Sequence, residues 1–210
     1  MDRAAWVYKT SEIFVNFYFK TAYRLACEGE IPKEACVLLP KHQQMLDIPL
    51  EGHIIYRQIR RLPSFVMRGF PFPFNYFFQM YGGIEIARAK EIRKGKMTKE
   101  EGHYVNERAV QKAIERLRRG EPAVIHPEGT RKWQEMNSIS IRPKSVLEQI
   151  IEAQKYLGPI PFIPIGINYS GNRVTVKIGS SYYTKDREKL EQHLKEEIPK
   201  LSGLNCKTDN

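Results

Sequence analysis

The spacing of apolar residues near the start of the chain predicts an amphipathic helix. Over residues 11–27, apolar side chains recur every three or four positions, and Lys20 and Arg24 fall off that face. Such a face either packs on the body of a domain or lies in a membrane interface. Packing is the commoner use, so we favour it and keep membrane contact as the alternative for this N-terminal amphipathic helical segment, residues 1–34.

After residue 34 the pattern alternates between short apolar runs and longer stretches with helical spacing. The short runs predict strands at 35–39, 64–67, 82–87, 123–125, 160–169 and 173–178. Helices are predicted between them, two of which start at capping boxes led by Thr98 and Ser145. This alternation indicates an α/β fold, a single domain with a mostly parallel sheet flanked by helices. We expect the domain to cover 35–201 with its last two strands antiparallel, and 202–210 to be a flexible tail.

Aromatic residues and prolines crowd the segment 69–81. Pro71 and Pro73 exclude a central strand, so the pattern predicts a loop that lines an apolar groove or touches lipid. Together with one proline in a later strand, the aromatic residues are candidate contacts for an acyl chain or a membrane: Phe70, Phe72, Phe74, Phe77, Phe78 and Pro164.

Composition and charge narrow the class of partner. A chain of 210 residues with 41% hydrophobic residues can build the core of one domain, which argues against wholesale disorder. The net charge of +10 indicates an anionic partner: nucleic acid, an acidic membrane surface or a phosphorylated substrate. The basic runs 57–61 and 116–119 are typical of solvated helix faces, and no nucleic-acid motif accompanies them.

Two further features limit the class of protein. Cys27, Cys36 and Cys206 are too few and too scattered for a disulfide framework or a cysteine metal site, so we expect reduced thiols and no metal. No apolar stretch approaches the roughly 20 residues that span a bilayer, and residues 13–26 lack the features of a signal peptide. We expect a soluble or peripheral protein inside the cell.

The first candidate for chemistry is His42 with Asp47, at a predicted turn from strand to helix. Histidine is suited to remove a proton near neutral pH, and a carboxylate on its other ring nitrogen would fix its tautomer. In one regular helix these two side chains would point about 140° apart, so the pairing needs the turn. The plainer alternative is that Asp47 caps a helix and His42 is an ordinary loop histidine.

Two more polar groups follow predicted strands, where the sites of α/β folds cluster. Residues 126–131 read His-Pro-Glu-Gly-Thr-Arg; Gly129 permits close backbone approach, and Arg131 offers a planar fork for a phosphate. Arg88 ends the run that starts at Gly82 and is also placed to meet an anion, although a surface arginine would satisfy the same pattern.

Taken together and in this order, the three elements resemble the motifs of the glycerolipid acyltransferase family, whose best-known members are lysophosphatidate acyltransferases. His42 and Asp47 are similar to the family's H-x4-D motif, residues 82–88 to its glycine-to-arginine motif, and 127–131 to its P-E-G-T-R core. Residues 163–165 resemble the proline-containing fourth motif. The resemblance covers about residues 35–180.

The resemblance implies acyl transfer in one step. His42 would act as general base on an acceptor hydroxyl, oriented by Asp47, and the oxygen would attack a fatty acyl thioester of coenzyme A or acyl carrier protein. The residues that would hold the phosphate and glycerol of the acceptor are Arg88, Glu128, Gly129, Thr130 and Arg131. No bound cofactor is implied, because the thioester is a co-substrate. The absence of a cysteine from these motifs agrees with direct transfer.

Some positions depart from the family's pattern. Lys41, Gln44, His126 and Glu85 stand where Asn, Ser and two aromatic residues are common, and Gly166 stands where a second proline is common. These positions border the acceptor, so they bear on its identity.

Three functions stay open from the sequence. The favoured one is transfer to a lysophospholipid, with 1-acyl-glycerol-3-phosphate first, by an enzyme held at an anionic surface on the cytoplasmic face of the membrane. The second keeps the chemistry but uses another lipid acceptor. The third is a basic protein that binds nucleic acid or acidic membranes without catalysis, with nucleic acid the less favoured partner.

Overall fold

A seven-stranded sheet organises the chain, in the order β1-β7-β6-β2-β5-β3-β4. The computed structural model describes residues 13, 15–19, 21–70, 74–128 and 139–204. The strands are β1 Arg24–Glu28, β2 Val37–Pro40, β3 Ser64–Arg68, β4 Gly83–Ile86, β5 Ala123–Val124, β6 Phe162–Ser170 and β7 Arg173–Ile178.

Five adjacent strands run in the same direction: β6, β2, β5, β3 and β4. β7 pairs antiparallel with β6, and β1 pairs parallel with β7, so these two run against the rest. The α/β class, the mostly parallel sheet and the antiparallel last pair are therefore confirmed.

Helices connect the strands and cover the sheet. They are α1 Asp47–Ile59, α2 Phe74–Met80, α3 Ala89–Arg93, α4 Lys99–Arg118, α5 Val146–Leu157 and α6 Arg187–Leu201. Thr98 and Glu101 form the predicted capping box of α4. Ser145 caps α5 by accepting from the backbone N–H of Glu148, but the Glu148 carboxylate accepts from Lys144 N, so the box predicted there is incomplete. In the part of the chain that the structure describes, no helix combines the length and the apolar character that crossing a membrane requires.

Both faces of the sheet are buried, as expected where helices cover parallel strands. Because successive side chains of a strand point to opposite faces, Leu39 of β2 lies in one apolar layer with α4, α5 and α6. Its neighbour Leu38 lies in the other layer, with Leu50 of α1. Phe19, in the helical stretch 15–19, is also buried in that second layer, so this part of the N-terminal segment packs on the domain.

The helix predicted over 11–27 is wrong in its last third. Arg24–Glu28 form the edge strand β1, which pairs with β7 from Arg24↔Arg173 to Glu28↔Lys177. A short apolar run fits both helical and strand spacing, and the edge of β7 supplies backbone partners that local preference does not anticipate. Part of the segment 1–34 therefore belongs to the sheet.

The loop predicted over 69–81 is also wrong in part, because Phe74–Met80 form α2. The prolines exclude a central strand but not a helix that begins after them, since proline is well tolerated at a helix start. The short helix α3, directly after Arg88, was not predicted.

Candidate active site

Two histidines meet at the carboxyl edge of the parallel strands. β2 and β5 are neighbours, with Leu38 opposite Val124, and His42 and His126 each follow their strand by two residues. Their rings lie 4.1 Å apart between centroids, tilted by 34°. This is the edge at which α/β folds place their sites.

The turn between β2 and α1 is built around the carboxylate of Asp47. Its Oδ2 accepts hydrogen bonds from the backbone N–H groups of Gln43 at 2.6 Å and Gln44 at 2.8 Å. His42 Nδ1 lies 3.1 Å from the same oxygen. The structure therefore brings His42 and Asp47 together, and it does so through the turn that the spacing required.

Burial and hydrogen bonding together favour the charged form of Asp47 and the neutral form of His42. Burial acts to raise the pKa of the Asp47 carboxyl, but hydrogen bonds from His42 and Gln44 outweigh it, and the pKa is lowered. Burial lowers the pKa of His42, against the hydrogen bond to Asp47. A neutral imidazole beside a carboxylate carries its proton on Nδ1, so Nε2 keeps the lone pair that a base needs.

Tyr169 adds a contact that the sequence analysis missed. Its hydroxyl donates to Asp47 Oδ1 across 2.7 Å, from the carboxyl end of β6. Burial raises the pKa of the Tyr169 hydroxyl, and the charge of Asp47 adds to the effect, so the group remains a donor. Its position past the fourth motif on a strand beside β2 was the signal that could have indicated it.

A second histidine–carboxylate pair was also missed. His126 Nε2 lies 3.1 Å from Glu51 Oε1, and the Glu51 side chain is 3% exposed. Asp47 and Glu51 are four residues apart on α1 and so lie on one face of that helix. Burial raises the pKa of Glu51 well above its ordinary value, and the charge of Asp47 adds to this.

Glu128, predicted to hold the acceptor, faces Lys41. Lys41 Nζ lies 3.7 Å from Glu128 Oε1, and both side chains are fully buried. Burial lowers the pKa of Lys41, opposed by the charges of Glu128 and Asp47. The lysine that replaces a common asparagine thus stands directly before His42 and brings a cation beside the third motif.

Arg88 stands away from the two histidines along the carboxyl edge of the sheet. It precedes α3 and follows β4, which is three strand positions from β2, about 14 Å across the sheet. Its Nε is 3.7 Å from Glu91 Oε1. Arg88 can therefore share a site with His42 only through a substrate that extends along this edge.

Only some of the remaining predicted residues lie within the part of the chain that the structure describes. Gly129, Thr130, Arg131 and Phe72 lie outside the described residues, and their roles stay predictions. Phe70 packs against Phe78 of α2, with ring centroids 4.5 Å apart, and Phe74 and Phe77 belong to the same helix. Pro164 is buried inside β6 beside Gly179, which favours a packing role over lipid contact.

The described residues include no group of three or more His, Cys, Asp or Glu side chains placed to hold a metal ion. Burial raises the pKa of the Cys36 thiol to about 12, so this cysteine is not a nucleophile near neutral pH. The chemistry that this edge offers is proton transfer by a paired histidine.

An α/β sheet with a histidine–carboxylate pair at its carboxyl edge defines the class of protein, and comparison with known proteins identifies the family. The family model described as Acyltransferase matches residues 24–168, so the chain belongs to the acyltransferase family. That range contains His42, Asp47, Arg88 and Glu128, and the match confirms the family resemblance of the motifs.

The fold has a solved counterpart. The chain is similar to the crystal structure of the 1-acyl-sn-glycerophosphate (LPA) acyltransferase PlsC from Thermotoga maritima, with a TM-score of 0.62 and 18% sequence identity. The alignment covers 97% of this chain and 81% of that one. A search of curated protein sequences gave no significant match.

Proposed function

We propose that this acyltransferase moves a fatty acyl group from a thioester to the hydroxyl of a lysophospholipid, and that 1-acyl-glycerol-3-phosphate is the acceptor. The observation that carries the proposal is the contact of His42 Nδ1 with the buried carboxylate of Asp47. It supports Nε2 as the atom that takes the acceptor's proton. The printed substrate of the structurally similar PlsC supports the choice of acceptor.

The proposed reaction has one transfer step and needs no covalent enzyme intermediate. His42 Nε2 removes the hydroxyl proton as the acceptor oxygen attacks the thioester carbonyl, and Asp47 stabilises the imidazolium that forms. The carbon–sulfur bond then breaks. The thiolate leaves with the electron pair and takes up the proton from His42, so the base is restored.

Charge supports the proposed substrates. Arg88 and Arg131 are the proposed contacts for the acceptor phosphate, and the acceptor would extend across β5 and β3 to reach Arg88. Coenzyme A and acyl carrier protein are both anionic, and either suits a chain of net charge +10 as the donor. The buried Lys41 adds positive charge beside Glu128 and is attracted by Asp47, the partner of His42.

We propose that the protein is peripheral at an anionic membrane, on its cytoplasmic face, and exposed apolar side chains of the N-terminal segment support the membrane contact. Ile13 and Phe17 of the N-terminal segment are each 69% exposed, although Phe19 of the same segment is buried in the core. One side of the segment thus packs, and the other presents large apolar side chains outward, as interfacial helices do.

The test of the proposal is thiol release from acyl-coenzyme A and from acyl carrier protein by the purified protein, with mass spectrometry of the lipid product. His42→Ala should lower the rate by about 10²–10⁴-fold. His103→Ala is the matched control, because His103 lies on the exposed side of α4 and should leave the rate unchanged. A loss of only a few-fold in His42→Ala would refute His42 as the base.

The acceptor is tested separately. Monoacylglycerol lacks the phosphate of 1-acyl-glycerol-3-phosphate, so it should be a poor acceptor if Arg88 and Arg131 bind that phosphate. Equal rates with both would favour the second hypothesis, a different lipid acceptor. Salt-dependent binding to nucleic acid with no thioester turnover would favour the non-catalytic alternative.

A further inference from the structure

The proposed base does not stand alone, because a second histidine–carboxylate pair lies against its face. His126 is 11% exposed at its side chain, and its ring packs on His42 at 4.1 Å. Glu51 holds the Nε2 of His126, as Asp47 holds the Nδ1 of His42. The two carboxylates come from successive turns of α1, so one helix face holds both rings.

Packing alone does not account for this arrangement. A phenylalanine at position 126 would fill the same space against His42 without placing a carboxyl group in the core. Burying Glu51 is costly, and its Oε2 has no hydrogen-bond partner in the described part of the chain. A group maintained at that cost calls for a role that an apolar ring would not fill.

We propose that His126, held by Glu51, is a positioning residue for the reaction: it fixes the ring plane of His42 and competes with it for a proton. The proposal rests on the proposed function, in which His42 is the base. Two imidazoles stacked at this distance cannot both carry a charge without strong repulsion. A proton that the stack takes up is held between His126 and the Glu51 carboxyl group, which burial makes a better proton holder, and His42 remains free to act.

The charged and titratable groups around His42 give the sign of the effect. They are Asp47 and Glu51 from α1 and His126 after β5, with Tyr169 of β6 acting through Asp47, among the described residues. Burial has the largest effect on the pKa of His42, and the hydrogen bond to Asp47 the second largest. Repulsion by His126 comes third and lowers that pKa. The attraction of Glu51 raises that pKa and is the smallest cause. Removing His126 should therefore raise the pKa of His42.

The experiment compares pH profiles of kcat/KM for the full-length wild-type protein, His126→Phe and Glu51→Gln. His126→Phe keeps a ring against His42 but cannot hold a proton, so the acidic limb should move up by about one pH unit. At a pH below the acidic limbs of both proteins its rate should be about tenfold lower than that of wild type, while the rate at pH 8.5 stays within about threefold of wild type. Glu51→Gln should move the limb in the same direction by less, because it also removes the attraction of Glu51.

A second readout needs no turnover. Long-range ¹H–¹⁵N NMR of the imidazole groups follows the His42 titration directly, and its midpoint should shift upward in both variants. If His126→Phe does not fold in a thermal unfolding control, Glu51→Gln decides the question. A His42 titration unchanged in the folded variants would overturn the proposal. Absence of acyl transfer by the wild-type protein would instead refute the proposed function, so the two failures are distinguishable.

Discussion

Tyr169 donates its hydroxyl to Asp47 Oδ1 across 2.7 Å, and the two residues are 122 positions apart in the sequence. Asp47 thus holds the β2–α1 turn with one oxygen and is itself held from β6 through the other. The orientation of the carboxylate that faces His42 therefore depends on contacts from the β2–α1 turn and from β6, the strand beside β2.

Tyr169→Phe removes that one hydrogen bond and keeps the ring. A hydrogen bond to a charged group contributes about 1.5–3 kcal/mol, so kcat should fall roughly 10–100-fold, with KM little changed. Tyr183→Phe is the matched control, because Tyr183 is an exposed tyrosine that donates to Glu34. Equal kcat values for Tyr169→Phe and wild type would show that Asp47 holds its orientation without the hydroxyl.

Lys41→Met should destabilise the fold, because it leaves the buried carboxylate of Glu128 without the cation beside it. Breaking a buried ion pair by removing one partner costs about 3–5 kcal/mol. The double variant Lys41→Met/Glu128→Gln should recover at least half of that loss, since neither charge remains. Urea unfolding of wild type, Lys41→Met, Glu128→Gln and the double variant measures both effects. A double variant no more stable than Lys41→Met would contradict the expectation.

Phe17→Asp should weaken binding to anionic vesicles. Phe17 is 69% exposed on the N-terminal segment, and withdrawing one phenylalanine from a lipid interface should lower the partition coefficient by at least about tenfold. Binding of the wild type to phosphatidylglycerol vesicles should also fall as salt rises. Tyr104→Asp, at a position 58% exposed on α4, serves as control. If both variants bind equally, the N-terminal segment is not the contact.

Gly166→Ala should destabilise the protein through overpacking. A Cβ at this position in β6 would overlap the backbone carbonyl carbon of Leu201, the last residue of α6. The backbone of α6 would have to move, at a cost of about 1–3 kcal/mol. Ser170→Ala, at the exposed end of the same strand, is the control. The melting temperature should fall for Gly166→Ala alone. This contact also gives a physical reason why glycine stands where a second proline is common in the family.

The sequence was most informative where a pattern is local. Apolar runs bounded by Pro and Gly predicted six strands, and Thr98 predicted the start of α4. β1 was not predicted because its five residues gain their strand conformation from pairing with β7, almost 150 positions later in the sequence. The helix α2 was not predicted because the prolines before it indicate only that a strand or helix is interrupted there. They do not specify the conformation of the residues that follow.

The candidate site divides in the same way. The contact of His42 with Asp47 is local, and its spacing already implied a turn. Tyr169 and Lys41 reach their partners through the folded sheet, and no spacing rule indicates such contacts. Glu51 stands four residues after Asp47, which in sequence is an ordinary acidic helix face. Only the position of His126 on the neighbouring strand shows what that second carboxylate holds.

The direction of β1 has a consequence for how a lipid reaches the site. Since β1 runs against the five parallel strands, its first residue, Arg24, lies at the edge where those strands end, which is the edge that carries His42. The ring contact of Tyr23 with Tyr169, at 6.2 Å between centroids, agrees with this placement. The N-terminal segment thus enters the domain on the side of the proposed base. If that segment binds a bilayer as proposed, a lipid acceptor in the bilayer would reach the site by lateral diffusion in two dimensions, without leaving the membrane.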